Sequence, residues 1–442
     1  MAAFGPDWPA ETRTIERVDT RVSVNMIESS THLSARGASV AHIVFPYLFA
    51  TASWIHAQLV HLRRYRPIVI TDSTANQELF PFEPVYPYAA LSFPRKAYFS
   101  LSERRLHGAL DQFMERVLRR ERSVALHCHF GQAGVALLEI KRRTRLPMAT
   151  AFYGADASEL ARDPAWRRQY AALFAEGNVF LVEGPAMRQR LIALGCPEDK
   201  IVIQRLGVDL DGLPFIPRRP RSDGDIRILI AATFREKKGI PDALRAIARL
   251  SGRYPQLRVT LLGDSSRKEG DEQEKLIILS LVRELGGMVT WGGFVPHREF
   301  RAALLNHHIF LSPSVTASSG DSEGGAPVSL IEAHATGMPI VSTRHDDIPQ
   351  IVIENETGLL SPERDIAALA ENLARLIERP EDWERMGRAA RAHVEKHFEI
   401  RTQMARLEEI YSWMLRTERP MSGGRRREST AGPTTEPRAR LA

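Results

Sequence analysis

With 442 residues, 43% of them hydrophobic and 26% charged, the chain has the make-up of a folded protein of two or three domains. No apolar run approaches the roughly 20 residues needed to span a bilayer, the N-terminal residues lack the apolar stretch of a secretion signal, and Cys128 and Cys196 make neither a disulfide framework nor a metal-type spacing. A reducing cytoplasmic setting is therefore expected; a net charge of +6 suits phosphorylated substrates, anionic lipid or nucleic acid alike, but with no zinc-finger spacing or RNP-type aromatic motif no nucleic-acid partner is expected.

Residues 1–37 are polar and aperiodic and read as an N-terminal extension. Strand patterns follow at 41–45 (AHIVF), 67–71 (PIVIT), 124–127, 147–152 and 178–182. Helical patterns lie at 53–64, around Leu106, Leu110, Phe113, Met114, Val117 and Leu118, and at 134–143. Strands alternating with helices argue for a parallel sheet covered on both faces. His127 and His129 alternate on one strand end and so share a face; with no third ligand in view, no metal site is expected. Basic residues gather at Arg104, Arg105, Arg116, Arg119, Arg120 and Arg122, and again at Lys141, Arg142, Arg143 and Arg145. They suit an anionic membrane or a lipid-linked pyrophosphate, and equally the solvated face of core-packed helices.

The Pro/Arg-rich stretch 212–225 is the clearest boundary. The plan then repeats, with strands at 226–231 (IRILIA), 258–262 (RVTLL), 309–311 and 339–342, and helices near 241–251, 273–285, 298–306 and 327–336. The chain reads as α/β: two Rossmann-like, doubly wound parallel-sheet domains, 38–211 and 212–392, facing a cleft. A C-terminal helix over 393–418 is expected to pack back on the first domain, and a basic tail over 419–442 to be disordered. Ligands of such sheets bind beyond the C-terminal strand ends. The turn AATFREKKG (231–239), Leu262-Gly263-Asp264, the loop WGGFV (291–295) and Ser312-Pro313-Ser314 should then line one crevice. Gly293 there offers backbone groups to a nucleobase. Lys238, with Arg235 and Lys237 as neighbours, is placed to reach a diphosphate as a point charge, although a solvated basic turn has the same letters.

Most informative is 323–339, EGGAPVSLIEAHATGMP. Pro327 suits a first helical position, and Gly337 and Pro339 mark an end. Gly324, Gly325 and Ala326 lead into the helix, whose unpaired N–H groups favour an anion that small side chains let approach. Glu332 lies in the helix and Glu323 before it. Nine helical steps would set them on opposite faces, so Glu323 must act from the loop if both serve one ligand. A capped core helix with two solvated acids fits equally well.

These motifs resemble the C-terminal half of glycosyltransferase family 4 (group 1), of the GT-B fold. The matching pieces are VEGPAMRQRL at 182–191, GVDL at 207–210, REKKG at 235–239, LLGDS at 261–265, GGF at 292–294, SPS at 312–314 and EGGAPVSLIEAHATGMPIVST at 323–343. HCHFG at 127–131 and YGAD at 153–156 are similar to the exopolysaccharide branch, including colanic-acid-type transferases. The resemblance implies transfer of a hexosyl group from a nucleotide-diphosphate sugar with retention, without a metal or other cofactor. The acceptor would be a saccharide or a lipid-linked saccharide, at the inner face of the plasma membrane. By position it implies that Glu332 holds the donor ribose, Glu323 the donor sugar hydroxyls and Lys238 the diphosphate, with Arg235 able to add its charge if the loop shifts by two residues. The backbone of Gly324, Gly325, Ala326, Pro327 and Val328 would donate to phosphate and sugar oxygens, with Asp264 and Gly293 beside the nucleotide and His129 and Tyr153 across the cleft.

Four departures stand out. Eight residues separate the two glutamates, one more than the family's usual spacing, which leaves Asp321 as a substitute for Glu323. Thr233 occupies the position of the family's diphosphate-binding arginine. Tyr153 replaces the histidine of the first domain, and a phenol donates to a sugar hydroxyl but is a poor base at neutral pH. PYLFAT at 46–51 replaces the glycine-rich first loop. Tyr153 and Thr233 keep open a second reading, a catalytically impaired sugar-nucleotide-binding partner protein; a third, a GT-B-fold sugar-nucleotide epimerase, needs an acid/base set that the sequence does not show.

Overall fold

The computed structural model describes residues 37–91, 108–266, 269–325 and 327–417. The extension up to residue 36, Arg104, Arg105, Leu106, Ala326 and the basic tail lie outside the described residues. In the first half the apolar runs become β1 (Ser39–Ile43), β2 (Arg66–Thr71), β3 (Val85–Pro87), β4 (Ser123–His129), β5 (Met148–Ala151), β6 (Val179–Val182) and β7 (Ile201–Ile203). They form one parallel sheet ordered β3-β2-β1-β4-β5-β6-β7. The helices are α1 (Ser53–His61), α2 (Ala109–Arg120), α3 (Gly131–Ala136), α4 (Leu138–Thr144), α5 (Pro164–Glu176) and α6 (Pro185–Ala193).

The expected helix over 134–143 is thus two short ones, α3 and α4, meeting at Leu137 (φ −95°, ψ 2°). Gly131 and Gly134 draw α3 close to the sheet: a Cβ at Gly134 would sit 2.7 Å from Thr150 Oγ1. Four elements went unread. β3 and β7 are three-residue strands at the sheet's edges, too short to show a period. The helix α5 did carry a legible start, Asp163 accepting from the Ala165 N–H with Pro164 at the first position. For α6 only Pro185 announced the start.

The second half repeats the scheme with β8 (Ile226–Ala231), α7 (Ile240–Ser251), β9 (Leu257–Leu262), α8 (Glu269–Leu285), β10 (Val289–Gly293), α9 (His297–Asn306), β11 (Ile309–Ser312), α10 (Val328–Ala335), β12 (Ile340–Thr343), β13 (Gly358–Ser361), α11 (Ile366–Glu378) and α12 (Glu381–His397). Its parallel sheet runs β10-β9-β8-β11-β12-β13. β10 takes up part of the expected 291–295 loop, and β13 is additional.

The chain passes between domains twice, and the two passages are paired: Val208 N–H donates to the Phe398 carbonyl at 2.8 Å and Ile400 N–H to the Val208 carbonyl at 3.1 Å. Beyond the break at Phe398, α13 (Ile400–Thr417) lays Ile400, Met404, Leu407, Ile410, Tyr411 and Met414 against Val40, Ala125, Ala149 and Val179 of the first sheet. Burying each large apolar side chain is worth roughly 2 kcal/mol, so the last helix belongs energetically to the first domain. Among the described residues no helix is long and apolar enough to cross a membrane.

Candidate active site

The carboxyl ends of both sheets face one cleft of about 1270 Å³. Phe49, Trp54, Phe130, Tyr153 and Glu183 line it from the first domain, and Lys238, Asp264, His297, Glu323, Val328 and Glu332 from the second. At the turn after β8, Gly239 adopts φ +60°, and a Cβ there would collide with the Pro313 carbonyl oxygen. That turn presents Lys238, whose Nζ donates to both carboxylate oxygens of Glu323, at 2.8 and 2.7 Å. Ser314 Oγ donates to Glu323 Oε1 at 2.7 Å. Burial works to raise the Glu323 carboxyl, but the Lys238 and Lys237 charges and these hydrogen bonds prevail and hold it down at about 2. Asp321 takes a different set of cations: Arg235 at 2.7 Å and Lys237 at 3.1 Å. Glu323 and not Asp321 lines the cleft. Arg235 and Thr233 line it too, so a cation stands near the position where the resemblance lacked one.

Glu332, nearly fully buried on α10, is gripped from α9. His297 Nε2 approaches its two oxygens at 2.9 and 3.0 Å, and Arg301 Nε donates to Oε1 at 3.0 Å. His297 and Arg301, four residues apart on one helix face, were not singled out from the sequence, although that spacing at a helix start was there to see. Asp264 binds Lys275 at 2.6 Å, and Lys275 stands 5.3 Å from the Trp291 ring centre. Gly293 adopts φ +70° and its carbonyl accepts the Gly263 N–H at 2.7 Å. The adjoining surface of the cleft is made by Gly263, Asp264 and Phe294 rather than by Gly293.

The loop ahead of α10 is a domain contact as well as a cleft wall. Pro327 (ψ 130°) stands just outside the helix, which starts at Val328. The Gly324 N–H, expected to be open to a ligand, donates instead to Asp346 at 2.7 Å, and the Glu323 N–H to His345 Nε2 at 3.1 Å. Gly324 (φ +80°) lies so close to Gly154 of the first domain that neither has room for a Cβ, and a Cβ on Gly325 would overlap the Glu183 carboxylate. Val328 and Ser329, at the helix start, do face the cleft. Beside this contact, Asp347 caps α6 of the first domain, accepting from Ala186 N–H at 2.8 Å and Met187 N–H at 3.3 Å.

Burial raises the Asp347 carboxyl from its usual range to about 6, against those two hydrogen bonds and the Arg190 charge and with help from Asp346. The docked arrangement therefore binds this proton more tightly than the unfolded chain. Its stability should rise as pH falls through 6 toward the ordinary carboxyl value near 4, with a gain of order 1 kcal/mol between pH 7 and 5. Melting curves at the two pH values should show this gain in the wild type and a smaller one in Asp347→Asn; equal gains would refute the assignment.

In the first domain, His129 does not reach the cleft as expected. It is buried, with Nδ1 2.8 Å from the Tyr153 hydroxyl and Nε2 3.0 Å from His42 Nδ1. Of this chain of groups Tyr153 alone faces the cleft. Burial, with the Glu183 charge nearby, holds its phenol protonated well above the usual range, and burial holds His42, His127 and His129 neutral. His42 is also the third histidine that the sequence did not reveal: ligand atoms of the three lie within 4.8 Å of one another. The close pair, however, face each other as hydrogen-bond partners, and the His127 and His129 rings are stacked at 4.4 Å. Among the basic residues of α2 and α4, Arg142 and Arg143 pair with Glu139, Glu176, Glu115 and Asp111. Arg119 and Arg120 meet Glu115 and Glu121, as on an ordinary solvated helix face.

Comparison with known proteins matches both halves. Residues 55–211 fit the family model described as Glycosyltransferase Family 4, and residues 215–393 that described as Glycosyl transferases group 1. The amylovoran biosynthesis glycosyltransferase AmsK of Erwinia amylovora is 34% identical over 284 residues, 64% of this chain and 68% of that protein. The putative colanic acid biosynthesis glycosyltransferase WcaL of Escherichia coli K12 is 36% identical over 249 residues, 56% of this chain and 59% of its own length. In three dimensions, HepE of Anabaena, solved in complex with UDP-glucose, superposes with a TM-score of 0.70 at 16% identity, over 85% of this chain and 99% of that one.

Proposed function

Because the chain belongs to glycosyltransferase family 4, we propose that it transfers a hexosyl group from a nucleoside-diphosphate sugar to a saccharide or lipid-linked acceptor in exopolysaccharide assembly, with retention and without a metal. The observation that carries this reading is the second-domain wall. Within one cleft it holds a buried carboxylate on Lys238, a second on His297 and Arg301, and the open start of α10.

On this reading Lys238 and Arg235 take up the negative charge that develops on the departing diphosphate, with the α10 dipole aimed the same way. Lys238, with Lys237 and Ser314, keeps Glu323 ionised, so Glu323 accepts from donor sugar hydroxyls as a full carboxylate. Glu332, fixed by two partners, accepts from the ribose. Fixed contacts at both ends of the donor hold its anomeric carbon near the first domain. There Tyr153, kept neutral, donates a hydrogen bond to the sugar or acceptor. The names of AmsK and WcaL support the polysaccharide setting, and the UDP-glucose in HepE supports the donor class.

Incubation with UDP-, GDP- and ADP-sugars, an acceptor panel and a chelator tests the reading. Chelator-resistant appearance of a glycoside with the donor's anomeric configuration is expected. Isomerised donor would identify an epimerase, and binding without turnover a partner protein.

A further inference from the structure

Across the cleft from the donor wall the first domain presents a cluster of aromatic rings. Phe49 and Trp54 lie 5.8 Å apart between ring centres, Phe49 and Phe130 6.0 Å, Trp54 and Tyr153 5.8 Å, and Phe130 and Tyr153 4.9 Å. All four line the cleft and none is fully buried. Core aromatic clusters close upon themselves, whereas this one is left open toward the second domain.

The backbone of Phe130 gives an independent sign. It adopts φ 73° and ψ 148°, a region that essentially only glycine occupies and that costs any L side chain. A glycine is available one position later, at Gly131, where a Cβ would strike the Phe152 ring. The chain nevertheless keeps a phenyl ring at 130, held in this conformation by the Phe130 N–H bond to the Ala151 carbonyl at 2.9 Å and by Asp156 accepting the Gly131 N–H at 3.0 Å. Strain of this kind persists where the surroundings enforce it and the side chain's placement is used.

We propose that Phe49, Trp54 and Phe130 form a shelf on which a pyranose ring of the acceptor saccharide stacks, a specificity that rests on the transferase reading above. A pyranose has an apolar face of axial C–H groups and a rim of hydroxyls, and the shelf matches both. Its rings offer flat, weakly negative faces to the C–H groups. Beside them the Tyr153 hydroxyl and Glu183 carboxylate, which can meet ring hydroxyls, share the same wall. A polyprenyl chain on this wall would bring no hydroxyls to the Tyr153 phenol and the Glu183 carboxylate while taking water from them. A nucleobase finds its phosphate-binding charges on the other wall, at Lys238 and Arg235.

The test uses the full chain saturated with whichever of UDP, GDP and ADP it binds best. Saturation-transfer NMR is recorded with methyl glycosides and disaccharides of glucose, galactose and mannose, and separately with a short-chain polyisoprenyl phosphate. The expected result is selective saturation of axial ring protons of at least one saccharide. Its affinity should weaken tenfold or more in Trp54→Ala and Phe49→Ala and be largely kept in Trp54→Phe, which keeps an aromatic face. Phe130→Gly, which relieves the backbone, should keep nucleotide affinity and lose saccharide binding. Calorimetry with UDP, GDP and ADP on every variant separates the two readings: failure of the wild type to bind any of the three would remove the donor reading. Normal nucleotide binding overturns the shelf alone if no saccharide binds, if the polyisoprenyl phosphate binds in its place, or if the alanine variants bind saccharide as the wild type does.

Discussion

Replacing Lys238 by alanine is expected to lower transfer by a hundred- to a thousandfold, the range found when one preorganised charge or donor is withdrawn from a developing oxyanion. The same substitution should also destabilise the protein, because Glu323 would keep its burial and lose its main counter-charge. Breaking a buried pair from one side typically costs about 3–5 kcal/mol. The Glu323 carboxyl is depressed to about 2 in the wild type. Its contribution is therefore complete above the ordinary carboxyl range and fades as pH falls from about 4.5 toward 2. Lys238→Ala should lose much of this acid-sensitive component, the Lys237 charge and the Ser314 hydrogen bond keeping the rest. The double variant Lys238→Ala/Glu323→Gln separates the two roles: melting temperature should recover, since no buried charge is left unpaired, while transfer stays low. Recovery of transfer in the double variant would show that Lys238 serves only to satisfy Glu323.

Substituting Glu332 by glutamine should reduce donor affinity and transfer tenfold or more, the size expected for a lost charge-assisted hydrogen bond in a dry site. The amide retains the shape but offers one acceptor where His297 and Arg301 meet two carboxylate oxygens. One of those donors would then face an N–H group. Arg301→Ala, tested beside it, should produce a smaller loss of donor affinity by leaving Glu332 less firmly oriented. Isothermal titration with the best nucleotide sugar and steady-state kinetics report both effects. Unchanged constants in Glu332→Gln would remove this residue from the donor site.

How far the site was legible depends on the range of the interaction involved. The loop position of Glu323 followed from helix geometry once one ligand was assumed for both acids, because side chains nine helical steps apart point to opposite faces. Lys238, too, was placed correctly at the strand–helix turn. The expectation that the Gly324 N–H would be open to a ligand failed for a non-local reason: Asp346, 22 residues later, takes it. His129 was likewise given a place in the cleft from its strand-end position and the HCHFG resemblance, and neither says what covers that face. Tyr153 and His42, from the neighbouring strands' ends, cover it.

By itself the sequence determined the alternation of strands and helices, the repeat of that plan after residue 225, and the EGGAP loop that leads into a helix. Each of these is written in periodicity, capping and breaker residues within a few positions of one another. Only the tertiary structure decided which cation answers which acid, that Glu323 and not Asp321 faces the cleft, that α9 holds Glu332, and that an aromatic wall stands opposite. Those contacts join residues from tens to hundreds of positions apart, and their partners are chosen by how two sheets and the returning α13 pack. No local pattern encodes that choice.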